Sequence, residues 1–405
     1  MKKKKILVVS PGMIFPLKMG SQVRIFNIIK ALSLYHNVDV IFRVSSLKPL
    51  PSEIQKQLHS LCNKYFLILA PNKKNYLLRS FHFCKFKLVK FFFNISDHEY
   101  YFSINSYLNQ IASICDSNSY DIVIFEYWYS CIAIPKLKYR PYFAVDTHDV
   151  LSEKLELEFQ LLGNIKKLLP YLNRYKWSES KYLALNDLII SISNSDNRFY
   201  LEKYPEKQHL TVPIGQDWTS FINYKDASEK KYSILFYGSL SSRQNIQAFF
   251  RLFNQILPII RNEIPEVTLM ILGANPVDEI KKLNDNKSIF VSGYVKDIKE
   301  YISNCKIMIL PMDLGGGFRT RALEVMALGV PVIGTHNALD SLDMTNGVHG
   351  FISDYNEEIA LFAIKILKNE DLRNQIGNQG KRFVLNNYGI ESCYNELSVL
   401  LSENT

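Results

Sequence analysis

A chain of 405 residues, 47% hydrophobic and 21% charged, is too long for one ordinary core and too balanced for disorder or a fibrous repeat, so two domains are expected. Its six cysteines, Cys62, Cys84, Cys115, Cys131, Cys305 and Cys393, lie far apart with no Cys-x-x-Cys pair, which argues against zinc and disulfides and points to a reducing cytoplasm. The formal charge of +9 favours anionic partners, but no paired zinc ligands, basic zipper or RNP-type strand is present, so no nucleic-acid partner is expected.

The opening MKKKKILVVSPGMIFP has an apolar run, 6–9, far shorter than a signal-peptide core and closed by Pro11 and Gly12, so it reads as a first strand. A helix follows over 20–35, with Val23, Phe26, Ile29 and Ala31 or Leu32 on one side and Arg24, Asn27 and Lys30 elsewhere. Further strands are predicted at 38–42, 65–69, 121–125, 142–146 and 188–192, with helices between them, the pattern of a parallel sheet covered by helices. From Lys73 to Tyr101 basic and aromatic residues interleave, either as a surface for an anionic membrane or as a helix with Phe and Leu in the core and Lys in water. No run approaches the roughly 18 apolar residues that a membrane span needs.

VDTHDV, at 145–150, sets His148 between Asp146 and Asp149 directly after a strand, where ligands bind in open α/β sheets and where the two acids could orient the ring. The polar stretch 206–230, carrying Pro213, marks a junction, giving a first domain of 1–210 and a second of 225–385. In the second domain strands are predicted at 232–237, 267–272, 288–291, 306–310 and 332–334, then helices near 356–385 and 389–402. The terminal segment 386–405 is expected to pack back toward the first domain.

The segment with the most chemistry is 311–335, PMDLGGGFRTRALEVMALGVPVIGT, which reads as strand, turn, helix and strand. Gly315, Gly316 and Gly317 permit positive φ and a close approach to the backbone. The helix is predicted to begin near Phe318 and stop at Gly329 before Pro331, and its open amides can hold an anion. Arg319 and Arg321 fall in its first turn, where the helix dipole disfavours cations unless an anionic ligand is present. Glu324, one turn later, can accept two hydroxyl hydrogen bonds, as a ribose diol would offer. Taken by themselves, these residues also fit a plain glycine loop with an i,i+3 surface pair of Arg321 and Glu324.

This stretch resembles the signature of retaining glycosyltransferases of family 4, in the branch whose loop reads Gly-Gly-Gly-x-Arg-x-Lys/Arg before Leu-Glu-x-Met-Ala-x-Gly-x-Pro-Val. The resemblance implies an α/β fold of the GT-B type, two Rossmann-like doubly wound domains facing a central cleft. It implies a hexosyltransferase that takes its sugar from a nucleotide-diphosphate sugar and retains the anomeric configuration. Donor contacts are implied at Gly315, Gly316, Gly317, Phe318, Arg319 and Arg321, with Glu324 on the ribose. ILFYGSLSSRQN, at 234–245, resembles the family's first strand and turn of that domain, which sets Gly238 and Ser239 beside the phosphates; Arg243 stands near the usual basic position. His148, with Asp149, matches the family's cleft histidine beside the transferred sugar, and Gly20 and Ser21 match the helix start facing the cleft. TNGVHGFISDYNEEIA resembles the family's Gly-x-His-Gly strand and brings in His349.

One departure stands out: the broader family carries a glutamate where this chain has Gly316, so its contact to the donor hexose is missing or supplied elsewhere. Enzymes of this kind generally need no metal or other cofactor, and no Asp-x-Asp pair ends a strand here. The implied setting is surface polysaccharide assembly in the cytoplasm, at the inner face of the membrane, with a glycan or a lipid-linked acceptor as partner. A non-catalytic nucleotide-sugar-binding protein of the same fold is the alternative that Gly316 and the altered Gly238 turn raise. An epimerase would need a second acid and base set, and a Rossmann dehydrogenase would need Gly-x-Gly-x-x-Gly after the first strand.

Overall fold

Runs such as Ile6-Leu7-Val8-Val9 and Ile122-Val123-Ile124-Phe125 are fully buried, as strands covered on both faces must be. The structure is a computed structural model that describes residues 3–17, 19–69, 96–161, 165–224, 229–313 and 318–403. Its contacts divide the chain into two units, residues 1–215 with 390–405 and residues 216–389.

The first unit is built on a seven-stranded sheet, β1 (Lys5–Ser10), β2 (Asn37–Val44), β3 (Lys64–Leu69), β4 (Ile122–Glu126), β5 (Tyr142–Asp146), β6 (Leu188–Ser191) and β7 (Gln208–Thr211), in the order β3-β2-β1-β4-β5-β6-β7. Every pairing is parallel. The order reverses between β1 and β4, so the carboxyl ends of these strands flank a switch point of the kind at which α/β folds bind ligands. The core beneath is Leu7, Val9, Val123, Phe125 and Phe143, extended by Trp128, Tyr175 and Tyr182.

The second unit carries a six-stranded sheet, β8 (Tyr232–Tyr237), β9 (Leu269–Leu272), β10 (Ile289–Gly293), β11 (Cys305–Leu310), β12 (Val332–Gly334) and β13 (Phe351–Ile352), in the order β10-β9-β8-β11-β12-β13. These pairs are parallel too, with the switch between β8 and β11. Both units are therefore Rossmann-like and doubly wound.

Several expectations need correction. Helix Gly20–Ser33 turns a different face inward: Arg24, Ile25, Asn27, Ile28, Ile29, Ala31 and Leu32 are buried, whereas Val23 and Phe26 are half-buried. Arg24 and Asn27 go inside because each finds partners there, the Asn27 amide donating to the Gly215 carbonyl at 2.7 Å. The stretch 206–230 expected to be a junction contains the division between the two units, after Gly215, but it also holds β7 and the short helix Thr219–Ile222. The single helix expected over 356–385 is two, Asn356–Lys368 and Glu370–Asn387, because Asn369 leaves the helical conformation and its side chain caps the second at Leu372 N, 2.9 Å away. The final helix, Ile390–Glu403, lies in the first unit, where it packs on Gly20–Ser33. The five cysteines among the described residues are buried and form no disulfide with one another.

Candidate active site

In the first unit, β4 and β5 end side by side, in a register that sets Glu126 opposite Asp146. Two fully buried carboxylates result, and such groups require compensation. Arg24, also fully buried, provides it: Nε and Nη2 donate to the two Asp146 oxygens at 2.7 Å each, and Nη1 donates to the Val212 carbonyl. Burial by itself would raise the Asp146 carboxyl, but Arg24, and after it His148, hold it below its ordinary value. Burial, with Asp146 adding to it, pushes Glu126 up to about 7 against the opposing pull of His148 and Arg24.

His148 follows β5 with its backbone at φ +61°, and its Nε2 lies 2.8 Å from Glu126 Oε2 and 3.5 Å from Asp146 Oδ2. Tyr127, after β4, also has positive φ, at +65° with ψ 146°. Its ring lies on the His148 imidazole, 3.9 Å between centroids and 5° from parallel. Non-glycine residues in such conformations cost about 1 to 3 kcal/mol each, and they concentrate where geometry serves function. Burial raises the Tyr127 phenol to about 12, against the opposing Ser21 side chain at the start of helix Gly20–Ser33. Gly20 is exposed, with nothing within 4 Å of where a Cβ would stand. Asp149 turns its carboxylate to Lys154, at 3.1 Å, so the acid that holds the His148 ring is Glu126.

Glu126, Asp146 and His148 offer ligand atoms within 4.8 Å of one another, a grouping with the chemistry to hold a metal ion. The Arg24 guanidinium already occupies both Asp146 oxygens, and a dication would have to share them with it at contact distance.

In the second unit, β8 runs into Gly238, whose φ is +159°. A Cβ on Gly238 would stand 1.9 Å from Arg321 Nη1, so a side chain there would have to displace the guanidinium. Arg321 Nη1 donates to the Tyr237 carbonyl at 3.0 Å and to Asn245 Oδ1 at 2.9 Å, while Nη2 reaches Met312 Sδ at 2.8 Å. Asn245 Nδ2 in turn donates to the Ser239 carbonyl at 2.8 Å. Arg321 thus clamps the end of β8 to helix Arg243–Arg251 and to the residues after β11.

Helix Thr320–Ala327 starts two residues later than predicted, with Arg319 as its cap residue. Glu324 accepts the Tyr237 hydroxyl at 3.0 Å and does not act as a surface partner of Arg321: both side chains are partly buried. Burial raises the Glu324 carboxyl to about 7 against the opposing Tyr237 and Arg321, and raises the Tyr237 phenol further. Burial, with Arg319 adding to it, lowers Arg321 to about 10.

Around this core, Ser239 is exposed with its hydroxyl 3.2 Å from that of Ser241, Arg243 is exposed at a helix start, and the half-buried Phe318 ring lies 5.6 Å from Tyr388. His349 stacks on Phe383 at 4.2 Å and accepts Thr345 N–H at 3.0 Å. Gly315, Gly316 and Gly317 lie outside the described residues, as do residues 70–95, which hold most of the basic and aromatic segment.

Residues 231–369 match the family of glycosyl transferases group 1. The matched stretch contains Gly238, Arg321 and Glu324. The chain is 30% identical over 152 residues to the capsular polysaccharide biosynthesis glycosyltransferase CapM of Staphylococcus aureus, 35% of this chain and 40% of CapM. The matched stretches span 40% and 57% of the lengths of the two curated relatives. Among solved structures, sucrose-phosphate synthase from Thermosynechococcus elongatus superposes with a TM-score of 0.68 at 15% identity, covering 98% of each chain. Anabaena HepE, in complex with UDP and glucose, does so at 0.63 and 12%, covering 99% of this chain and all of the other. At these identities the likeness establishes the fold, which is GT-B.

Glu126, Arg24, Tyr127, Tyr237 and Asn245 escaped the reading of the sequence. Glu126 had a usable signal, since an acid closing an apolar strand stands at the ligand-binding end of a parallel sheet.

Proposed function

We propose that the chain is a glycosyltransferase that transfers a sugar from a nucleotide-diphosphate sugar to a glycan or lipid-linked acceptor with retention of configuration and without a metal. The observation that carries the reading is the partly buried Glu324, set by Tyr237 beside the Gly238 turn and the Arg321 clamp within the stretch that matches group 1 glycosyl transferases. A carboxylate one helical turn from the helix start suits a ribose diol, and the backbone amides there, with Arg319, suit a diphosphate. Gly315, Gly316, Gly317, Phe318, Ser239 and Arg243 complete the proposed donor site. His148 and Asp149 are assigned to the transferred sugar, and Gly20 and Ser21 to the acceptor. Arg24 on Asp146 supports the metal-free reading, since a guanidinium and a dication compete for one carboxylate.

The test is calorimetry of the protein against UDP, GDP and ADP and their sugars, followed by turnover with the donor that binds, in EDTA and without it. Binding of one diphosphate, turnover indifferent to EDTA and a product with the anomeric configuration of the donor are expected. Failure of every diphosphate to bind would overturn the donor site, and loss of turnover in EDTA would overturn the metal-free reading.

After CapM, we assign the reaction to surface polysaccharide assembly, in the cytoplasm at the inner face of the membrane. No helix among the described residues is long and apolar enough to cross a membrane. Contact is proposed to be peripheral, through the basic and aromatic residues from Lys73 to Tyr101. Flotation with acidic liposomes at low salt is expected to carry the protein up, and neutral liposomes to leave it behind; equal behaviour on both would overturn this.

A further inference from the structure

We propose, resting on the reading of His148 as the residue beside the transferred sugar, that Glu126 is its positioning residue, holding the imidazole through Nε2 and sharing with it the one mobile proton of the buried cluster.

The geometry selects Glu126 over the neighbouring acids. Asp146 has both oxygens engaged by Arg24 at 2.7 Å, and lies 3.5 Å from His148 Nε2. Asp149 is drawn to Lys154. Glu126 Oε2 is 2.8 Å from Nε2, and Glu126 Oε1 is buried without a hydrogen-bond partner, so the carboxyl is committed to the imidazole side. The Tyr127 ring, parallel on the imidazole at 3.9 Å, blocks rotation of the ring out of that bond. Nδ1 is left as the nitrogen for a substrate hydroxyl.

Charge balance then sets how many protons the pair keeps. Arg24 and Asp146 cancel, so a buried Glu126 and His148 are neutral together only when they hold two protons between them. Carboxylate with imidazolium and carboxylic acid with imidazole contain the same atoms; they differ in whether the bridging proton sits on Oε2 or Nε2. Either form leaves Nδ1 bearing hydrogen, able to donate to a sugar hydroxyl. The other titratable groups around the pair are Tyr127, Asp149 and Asp196, with Lys154 beyond them, and on the far side of Arg24 Cys393 and Tyr394 of the last helix.

Glu126→Gln keeps the size of the side chain and removes the counter-charge. The expected result is a fall in kcat of at least about tenfold, by analogy with the loss seen when the partner that orients a metal-bound histidine is removed. The donor Kd from calorimetry should stay unchanged, and Glu126→Asp should recover part of kcat. A purely structural carboxylate would not separate kcat from donor Kd in this way. A wild-type kcat in Glu126→Gln, with turnover lost in His148→Ala, would overturn the positioning role and leave the enzyme reading standing. Full turnover in His148→Ala would also overturn it. Should the wild type turn over no donor, the enzyme reading fails separately, and side-chain ¹⁵N spectra of His148 decide the proposal: a hydrogen-bonded Nε2 signal that shifts in Glu126→Gln sustains it, and an unchanged spectrum overturns it.

Discussion

Replacing Arg24 by methionine is expected to destabilise the unit formed by residues 1–215 and 390–405 by about 3 to 5 kcal/mol, the cost of leaving one partner of a buried ion pair uncompensated. The size follows from what remains behind. Asp146 would keep a carboxylate that is fully buried beside a second one, Glu126, and the Val212 carbonyl would lose its donor. Arg24→Met with Asp146→Asn should recover much of the loss, because removing both partners of such a pair is often close to neutral.

The pH dependence fixes the sign. In the wild type, Asp146 is held below its ordinary value, so its contribution is complete above the unfolded carboxylate range and disappears only as pH falls through the lowered value. In Arg24→Met the same carboxyl keeps a proton that the unfolded chain releases, so the variant loses further stability as pH rises from about 4 toward neutrality. The gap between variant and wild type should therefore be wider at neutral pH than in acid. Glu126, raised to about 7, already makes the wild type lose stability over this interval, which is why only the difference between the two proteins is diagnostic. Calorimetric melting across pH reads it. A constant gap under 1 kcal/mol would mean that the pair carries little of the fold.

Strands were the legible part of this fold, and β5 and β8 fall on the predicted residues, because a parallel strand buried on both faces is a short apolar run that little else imitates. Two strands were implied by the family resemblance alone and not by apolar runs. β7 reads Gln-His-Leu-Thr, with Leu210 its one buried residue, and β13 is Phe351 and Ile352 alone, so neither forms an apolar run. Helix Gly20–Ser33 misled for the converse reason: periodicity assigns arginine to solvent, and nothing local to Arg24 tells that Asp146, 122 positions on, awaits it.

The same gap in sequence hid the composition of both clusters. His148 is visible at its strand end, whereas Glu126 meets it only because β4 and β5 pair in one particular register. In the second unit the glycine at 238 and the arginine at 321 each have a local meaning, as turn and helix start. The structure shows them as one object, since the arginine fills the space that a side chain at 238 would need.

Glu324→Ala is expected to weaken binding of the nucleotide-sugar donor about ten- to a hundredfold, equivalent to the about 1.5 to 3 kcal/mol of hydrogen bonds to a charged group. The pH at which this is measured matters. Burial sets Glu324 at about 7 in the free protein, and the form that accepts two ribose hydroxyls is the ionised one. Donor affinity of the wild type should therefore fall as pH drops through 7, by about tenfold between pH 8 and pH 6, since only the competent fraction binds. A nucleotide sugar is the right probe because its diphosphate is a diester with no group titrating in that interval, which a free nucleoside diphosphate has. In Glu324→Ala the slope should vanish together with the affinity. Glu324→Gln separates the two effects: it can still meet one hydroxyl, so it should bind between wild type and Glu324→Ala, with no pH slope. A donor affinity that is unchanged in Glu324→Ala, or a slope that survives in Glu324→Gln, would take the ribose away from Glu324 and leave its carboxyl as an anchor for Tyr237 alone.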